Sequence, residues 1–187
     1  MDSDKQILTN ALAENLYFFW LGHGSWNTIM GNPDKSNISA TDVRNALRNF
    51  EFDSTPKHPK TNAHPYKLVV LNGCQTDGDQ WARSFGVTYD PVGTTNYVPY
   101  YQYVGRSPRA FVGWTKENEA PGGWDVTLGG YAHAEFGTAL GALWSDWMNG
   151  FPLITCLGDF ADSATNNGFV GQDSWHISGC VDLQRGD

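Results

Sequence analysis

Tyr66-Lys67-Leu68-Val69-Val70-Leu71-Asn72-Gly73-Cys74 runs from an apolar centre straight into a glycine and a thiol. The Leu-Val-Val-Leu segment suits a central parallel strand buried on both faces, where no polar alternation is needed. A buried strand that stops at a Gly turn delivers its last side chain to the rim of the sheet. That rim is where open α/β sheets bind ligands.

A second stretch has the same design. Tyr17-Phe18-Phe19-Trp20-Leu21-Gly22-His23-Gly24 is another strand-like run, and it ends in an imidazole between two glycines. A thiol becomes a useful nucleophile when a neighbouring imidazole stabilises its thiolate and later returns a proton to the leaving group. Both ends therefore mark a candidate reactive centre.

The segments around them alternate in type. Residues 6–15 read as a short helical lead-in, and 25–37 as a polar stretch of turn formers. Ser39-Ala40-Thr41-Asp42 opens a helix whose apolar positions Val43, Leu47 and Phe50 recur at helical spacing. Residues 53–65 form a Pro-containing loop, and Gly78 to Val87 a helix with Trp81, Ala82 and Phe85 on its inner face. Residues 88–105 read as irregular. A third strand, Arg109-Ala110-Phe111-Val112-Gly113-Trp114, leads into a loop at Pro121-Gly122-Gly123. A long helix over 130–149 follows, then a second that begins near Pro152 and stops near Asn166-Asn167-Gly168. Trp175 to Leu183 reads as a final edge strand. The succession predicts an α/β fold, a mainly parallel sheet with helices on both faces, in one domain over residues 1–187.

Composition narrows the function. At 187 residues the chain can bury a core without staples, and 14% aromatic content with eight Trp excludes a disordered chain. A net charge of −8 argues against nucleic acid and anionic membranes as partners, and suits a basic peptide. No apolar stretch is long enough to span a bilayer, and Met1-Asp2-Ser3-Asp4-Lys5 lacks the start of a signal peptide. The compartment is left open. Cys74, Cys156 and Cys180 form an odd, widely spaced set, which excludes a disulfide framework or a zinc ribbon. Cys156, among Leu153, Ile154 and Leu157, reads as a core residue, and so does Cys180. No metal-ligand pattern is present, so neither a metal nor another cofactor is expected.

The His-Gly and Gly-Cys phrases, in this order, resemble the paired signature of the caspase-like (clan CD) cysteine peptidases. The matching residues are Phe18-Phe19-Trp20-Leu21-Gly22-His23-Gly24 and Leu68-Val69-Val70-Leu71-Asn72-Gly73-Cys74-Gln75, with room between them for a helical crossover. Arg109–Trp114 and the terminal Trp175-His176-Ile177-Ser178-Gly179 resemble the gingipain, CHAT and metacaspase-type branches, so a bacterial source is expected. The likeness covers most of the chain, but only the His and Cys phrases are specific. It implies Cys74 as nucleophile, His23 as its proton donor, and the backbone amides of Gly24 and Cys74 as the oxyanion hole. It also implies substrate contacts from position 72 and from the loop after the third strand, here Asn72, Trp114, Glu117 and Asp125. One branch uses calcium, but nothing in this sequence supports a calcium site.

The chain departs from the family in two respects. The family sheet has two strands before the His strand, and here few residues precede it. Either this is the C-terminal part of a larger protein, or another chain pairs with the incomplete sheet edge. Where some members carry Asp two residues before the nucleophile, this chain has Asn72, so that position does not support a preference for Arg or Lys.

Each role has a plainer alternative. Cys74 could be an ordinary buried cysteine at a strand end, His23 a turn residue, and Gly24 merely part of a tight turn. Trp114 could close the core instead of flooring a subsite. Glu117, Glu119, Asp125, Asp77 and Asp79 could be solvated loop charges. The expected activity is a cysteine endopeptidase with a peptide or protein substrate. Its rivals are a non-catalytic adaptor of the same fold and a thiol amidase acting on small molecules.

Overall fold

Apolar alternation on three strands builds one sheet with a core on each side. The computed structural model describes residues 17–21, 24–30, 37–47, 66–73, 75–89, 98–99, 108–115, 129–167 and 174–187. In chain order the strands are β1 (Tyr17–Leu21), β2 (Thr28–Met30), β3 (Asn37–Ser39), β4 (Leu68–Asn72), β5 (Thr88–Tyr89), β6 (Val98–Pro99), β7 (Ala110–Trp114) and β8 (Trp175–Gly179). The helices are α1 (Ala40–Ala46), α2 (Asp79–Ser84), α3 (Gly129–Met148) and α4 (Leu153–Asn166).

The main sheet has the order β1-β4-β7-β8. β1 pairs parallel with β4, from Tyr17 opposite Leu68 to Leu21 opposite Asn72. β4 pairs parallel with β7, from Leu68 opposite Ala110 to Val70 opposite Val112. β8 runs antiparallel to β7, with Trp114 opposite Trp175. The expected α/β architecture with a mainly parallel sheet is thus present.

The two-residue period of the strands divides the core. Leu68, Val70, Ala110, Val112 and Trp114 face one way, against Leu143 and Trp147 of α3 and Leu157 and Phe160 of α4. Val69, Leu71 and Phe111 face the other way, against Val43 and Leu47 and against Trp81, Ala82 and Phe85. β1 obeys the same alternation: Tyr17 and Phe19 pack on the first cluster, Phe18 and Trp20 on the second. Helices therefore cover both faces.

Local chemistry explains where the elements begin. Ser39 caps α1 with a reciprocal pair: its Oγ accepts from the Asp42 amide at 3.0 Å, and the Asp42 carboxylate accepts from the Ser39 amide at 2.9 Å. α4 starts directly after Pro152 and buries Leu153, Cys156, Leu157, Phe160, Ala161 and Ala164, a single stripe at helical spacing. No described helix is long and apolar enough to cross a membrane.

Three expectations change. The polar stretch 25–37 contains β2, which pairs antiparallel with β3. Within 88–105, β5 and β6 form a short antiparallel pair. The last strand stops at Gly179, not Leu183, because Gly179 takes φ +102° and turns the chain. The tail then folds back, and the buried Leu183 accepts a hydrogen bond from the Leu153 amide at 2.9 Å. The helical lead-in at 6–15 and the loop at 53–65 lie outside the described residues.

Candidate functional site

The register of β1 against β4 brings the two reactive phrases to one place. Leu21 lies opposite Asn72, and the strands are parallel, so both chains leave the sheet side by side at its carboxyl edge. His23 and Cys74 each follow those paired residues by two positions in sequence; both lie outside the described residues. Glu117 and Asp125 lie outside them as well. The structure does describe the turns that flank the histidine and the cysteine.

The turn on the cysteine side is anchored before and after position 74. The Gly73 amide donates to the Leu71 carbonyl at 3.1 Å. Thr76 is fully buried, and its Oγ1 donates to the carbonyls of Leu71 (2.5 Å) and Gly73 (2.9 Å). The same hydroxyl accepts from the Trp114 amide at 3.3 Å, and the Asp77 amide donates to the Trp114 carbonyl at 3.3 Å. One hydroxyl thus ties the end of β4 and its turn to the end of β7. The approach is so close that a Cβ on Gly113 would stand 2.4 Å from the Thr76 carbonyl oxygen, so only glycine fits there.

Gln75 has φ +54°, the one non-glycine residue with positive φ among those described. A left-handed conformation at such a residue costs roughly 1–2 kcal/mol and persists only where the surroundings impose it. Such strain concentrates at functional positions, and here it falls directly after the candidate nucleophile.

The turn on the histidine side is equally well held. Gly24 bridges antiparallel to Ile29. The Ser25 amide donates to the Thr28 carbonyl at 2.8 Å, and the Ser25 hydroxyl accepts from the Thr28 amide at 3.1 Å. The Ser25 and Thr28 hydroxyls also share a 2.7 Å hydrogen bond. Ser25–Thr28 is therefore a locked four-residue turn, a use of Ser and Thr hydroxyls that sequence chemistry anticipates.

These turns touch each other. The Trp81 indole, from α2, donates through Nε1 to the Ser25 carbonyl at 3.2 Å. A Cβ on Gly78 would lie 2.8 Å from the Trp26 carbonyl oxygen, so the turn after Cys74 rests against the turn after His23. An imidazole and a thiol leaving such an edge would be suited to acyl transfer, with glycine amides nearby to meet an oxyanion.

The other expected contacts are distributed unevenly. Asn72 is 2% exposed and Trp114 1% exposed. The Trp114 ring meets Phe160 edge-on, with centroids 6.2 Å apart, and so serves the core. Gly24 is half-buried beside the site. Cys156 is buried, its thiol donating to the Phe151 carbonyl at 3.6 Å; burial first, then Asp146 and Asp159, push its pKa up to about 11. It stays a protonated thiol at neutral pH, an unreactive core residue. Among the described residues no group of three His, Cys, Asp or Glu could hold a metal ion.

Sequence reading missed Thr76, Trp81 Nε1 and Trp26 as parts of this edge. Thr76 carried no signal for its link to β7, since the Trp114 amide it binds lies far away in sequence. Trp26 could have been noticed as a large aromatic inside a turn that needs none. No protein-family model matches the chain, and no curated protein matches it.

Proposed function

We propose that the chain is a caspase-like cysteine endopeptidase domain acting through a Cys74–His23 pair. The observation that supports this reading is the parallel register that sets Leu21 opposite Asn72, with the two following turns braced on each other. In the proposed reaction the Cys74 thiolate attacks the scissile carbonyl, and the oxyanion is met by the amides of Gly24 and Cys74. Collapse breaks the C–N bond, and His23 gives its proton to the leaving amine. The thioester is then hydrolysed by a water whose proton His23 accepts, which releases the acid and restores the thiolate. The substrate is a peptide or protein, with Glu117 and Asp125 as candidate contacts from the loop after β7.

A second reading has its own support. Asn72 and Trp114, two of the expected substrate contacts, are buried. A non-catalytic assembly domain of the same architecture would need neither at its surface, and β1, the outermost strand among the described residues, would be the natural place for another chain to pair.

One experiment separates the two. Intact-mass labelling with Arg-, Lys-, Asp- and Leu-directed acyloxymethyl ketones should modify Cys74 in the wild type. His23→Ala should slow that labelling by at least about a hundredfold, the scale of a lost acid–base partner. A folded protein in which Cys74 reacts with none of them, and no faster with iodoacetamide at pH 6 than an ordinary thiol, would leave the assembly reading standing.

A further inference from the structure

Four of the five exposed large hydrophobic side chains among the described residues collect at one corner, where α3 passes into α4. Met148 ends α3, Phe151 lies in the turn, Ile154 stands in the first turn of α4, and Val181 comes from the tail beyond β8. Each is 42–53% exposed. Apolar side chains scattered singly over a surface need no explanation, but a group gathered at one place marks a contact site. The corner is tied together by its backbone. The Leu153 and Ile154 amides donate to the Leu183 and Val181 carbonyls at 2.9 and 3.3 Å, and Arg185 Nη1 donates to the Met148 carbonyl at 3.2 Å. A surface fixed in this way is ordered before anything binds, which lowers the entropic cost of binding.

The corner is remote from the reactive turns. Trp147, one residue before Met148, meets Tyr17 at the start of β1 edge-on, with centroids 6.3 Å apart. The Cys180 amide donates to the Arg109 carbonyl at 2.8 Å, just before β7 begins. The corner therefore lies by the amino ends of the parallel strands, whereas the turns bearing His23 and Cys74 leave from the carboxyl ends.

Charge decides what fits there. From residue 117 onward the chain has ten Asp and Glu against one Lys or Arg, Arg185, while residues 1–116 have ten against eleven. The negative excess thus falls in the part that forms α3, α4 and the tail. Asp159 and Asp162 stand exposed on α4, and Asp182 and Asp187 stand exposed in the tail. Asp146 and Asp159 lie near enough to Cys156, whose thiol donates to the Phe151 carbonyl, to help raise its pKa. A second copy of the chain would bring two acidic rims together, and an anionic membrane would be repelled.

We propose that this corner is a docking site for a cationic amphipathic segment of another protein. Large apolar side chains of the segment cover Met148, Phe151, Ile154 and Val181, and its Lys or Arg residues face the surrounding carboxylates. The apolar contacts supply affinity, and the carboxylates supply orientation and speed of encounter. The site is independent of the chemistry at Cys74.

The test titrates the full chain with three peptides, followed by fluorescence anisotropy. One carries Leu on one face and Lys on the other, the second has Glu in place of Lys, and the third has Ser in place of Leu. The Leu/Lys peptide should bind at least about tenfold more tightly than either of the others, the scale of a lost hot-spot contact. Phe151→Ser and Ile154→Ser, both at exposed positions and checked for an unchanged urea midpoint, should each weaken it by about tenfold. The double variant Asp159→Asn, Asp182→Asn should weaken it and flatten its salt dependence. Equal binding of the Leu/Lys and Leu/Glu peptides overturns the charge assignment. Leu/Lys binding that survives in both Ser variants overturns the location, and no binding to the wild type overturns the inference outright. A wild type that sediments as a dimer, and as a monomer after Phe151→Ser, also overturns it, because the occupant is then a second copy.

Discussion

The two faces of the sheet are held by different means. One is covered by α3 and α4, helices of 20 and 14 residues, which pack Leu143, Trp147, Leu157 and Phe160 onto alternate strand residues. The other is covered by α1 and α2, of only 7 and 6 residues. Helices that short cannot hold themselves in water. They are kept by the Ser39–Asp42 capping pair, by the stack of Trp81, Phe85 and Phe111, and by the indole bond from Trp81 to Ser25. The long helices supply buried area, and the short ones supply placement. The candidate site is built on the side where directional bonds carry more of the structure.

That contrast can be broken most severely on the α3/α4 side. Phe160→Ala removes a fully buried ring packed on Trp114, and it should cost about 3–5 kcal/mol of stability. Urea denaturation should show a lower midpoint at an unchanged slope. In the cold, where the variant is still folded, Cys74 should keep its reactivity toward ketone probes. Loss of labelling in a folded sample would show that the two faces are not separable.

Thr76→Val tests the carboxyl edge of the sheet. It deletes a hydroxyl that joins the Leu71 and Gly73 carbonyls to the Trp114 amide, and it leaves buried backbone groups without that partner. Stability should fall by about 1–3 kcal/mol, and Cys74 labelling should slow disproportionately, by tenfold or more. Equal labelling rates in the folded variant and the wild type would show that the turn does not depend on this hydroxyl.

Gln75→Gly sharpens the comparison from the side of strain. Glycine relieves the left-handed backbone but loses more chain entropy on folding, so the net gain should be at most about 1 kcal/mol. A higher melting temperature combined with slower chemistry at Cys74 would mark the strain as functional. A destabilised variant would show that the Gln75 side chain, not its backbone, matters there.

The smallest effect concerns the thiol on the other face. The Cys156 pKa is raised from 9.0 to about 11, chiefly by burial. A pKa raised on folding means that the unfolded chain releases the proton first. Stability from this group is therefore fully present below about pH 9 and declines as pH rises toward 11. Wild type and Cys156→Val, compared by urea denaturation between pH 8 and 11, should diverge in that window, the wild type losing more. Below pH 8, Cys156 should alkylate only on unfolding.

Much of this was legible in the linear chain. Leu68-Val69-Val70-Leu71 announced a strand buried on both faces, and Ser39-Ala40-Thr41-Asp42 a helix start, because both signals are local. The start of α4 at Pro152 and its end near Asn166 were readable for the same reason. The β2–β3 pair was not, since three-residue strands leave too short a pattern to detect. Nor was the use of Trp114, whose burial depends on Phe160 arriving from a helix much later in the chain.

The sequence alone determined which residues could be strands, which helices, and that an imidazole and a thiol each follow an apolar run and a glycine. These properties depend on period, capping and backbone freedom, which act over a few residues. The tertiary structure decided that β1 and β4 are neighbours in a register that sets Leu21 beside Asn72. It also decided that the Thr76 hydroxyl would join its own turn to the distant Trp114 amide, and that Trp26 would face outward beside the reactive edge. Those outcomes arise from packing between segments far apart in the chain, and no local pattern encodes the distance across a folded core.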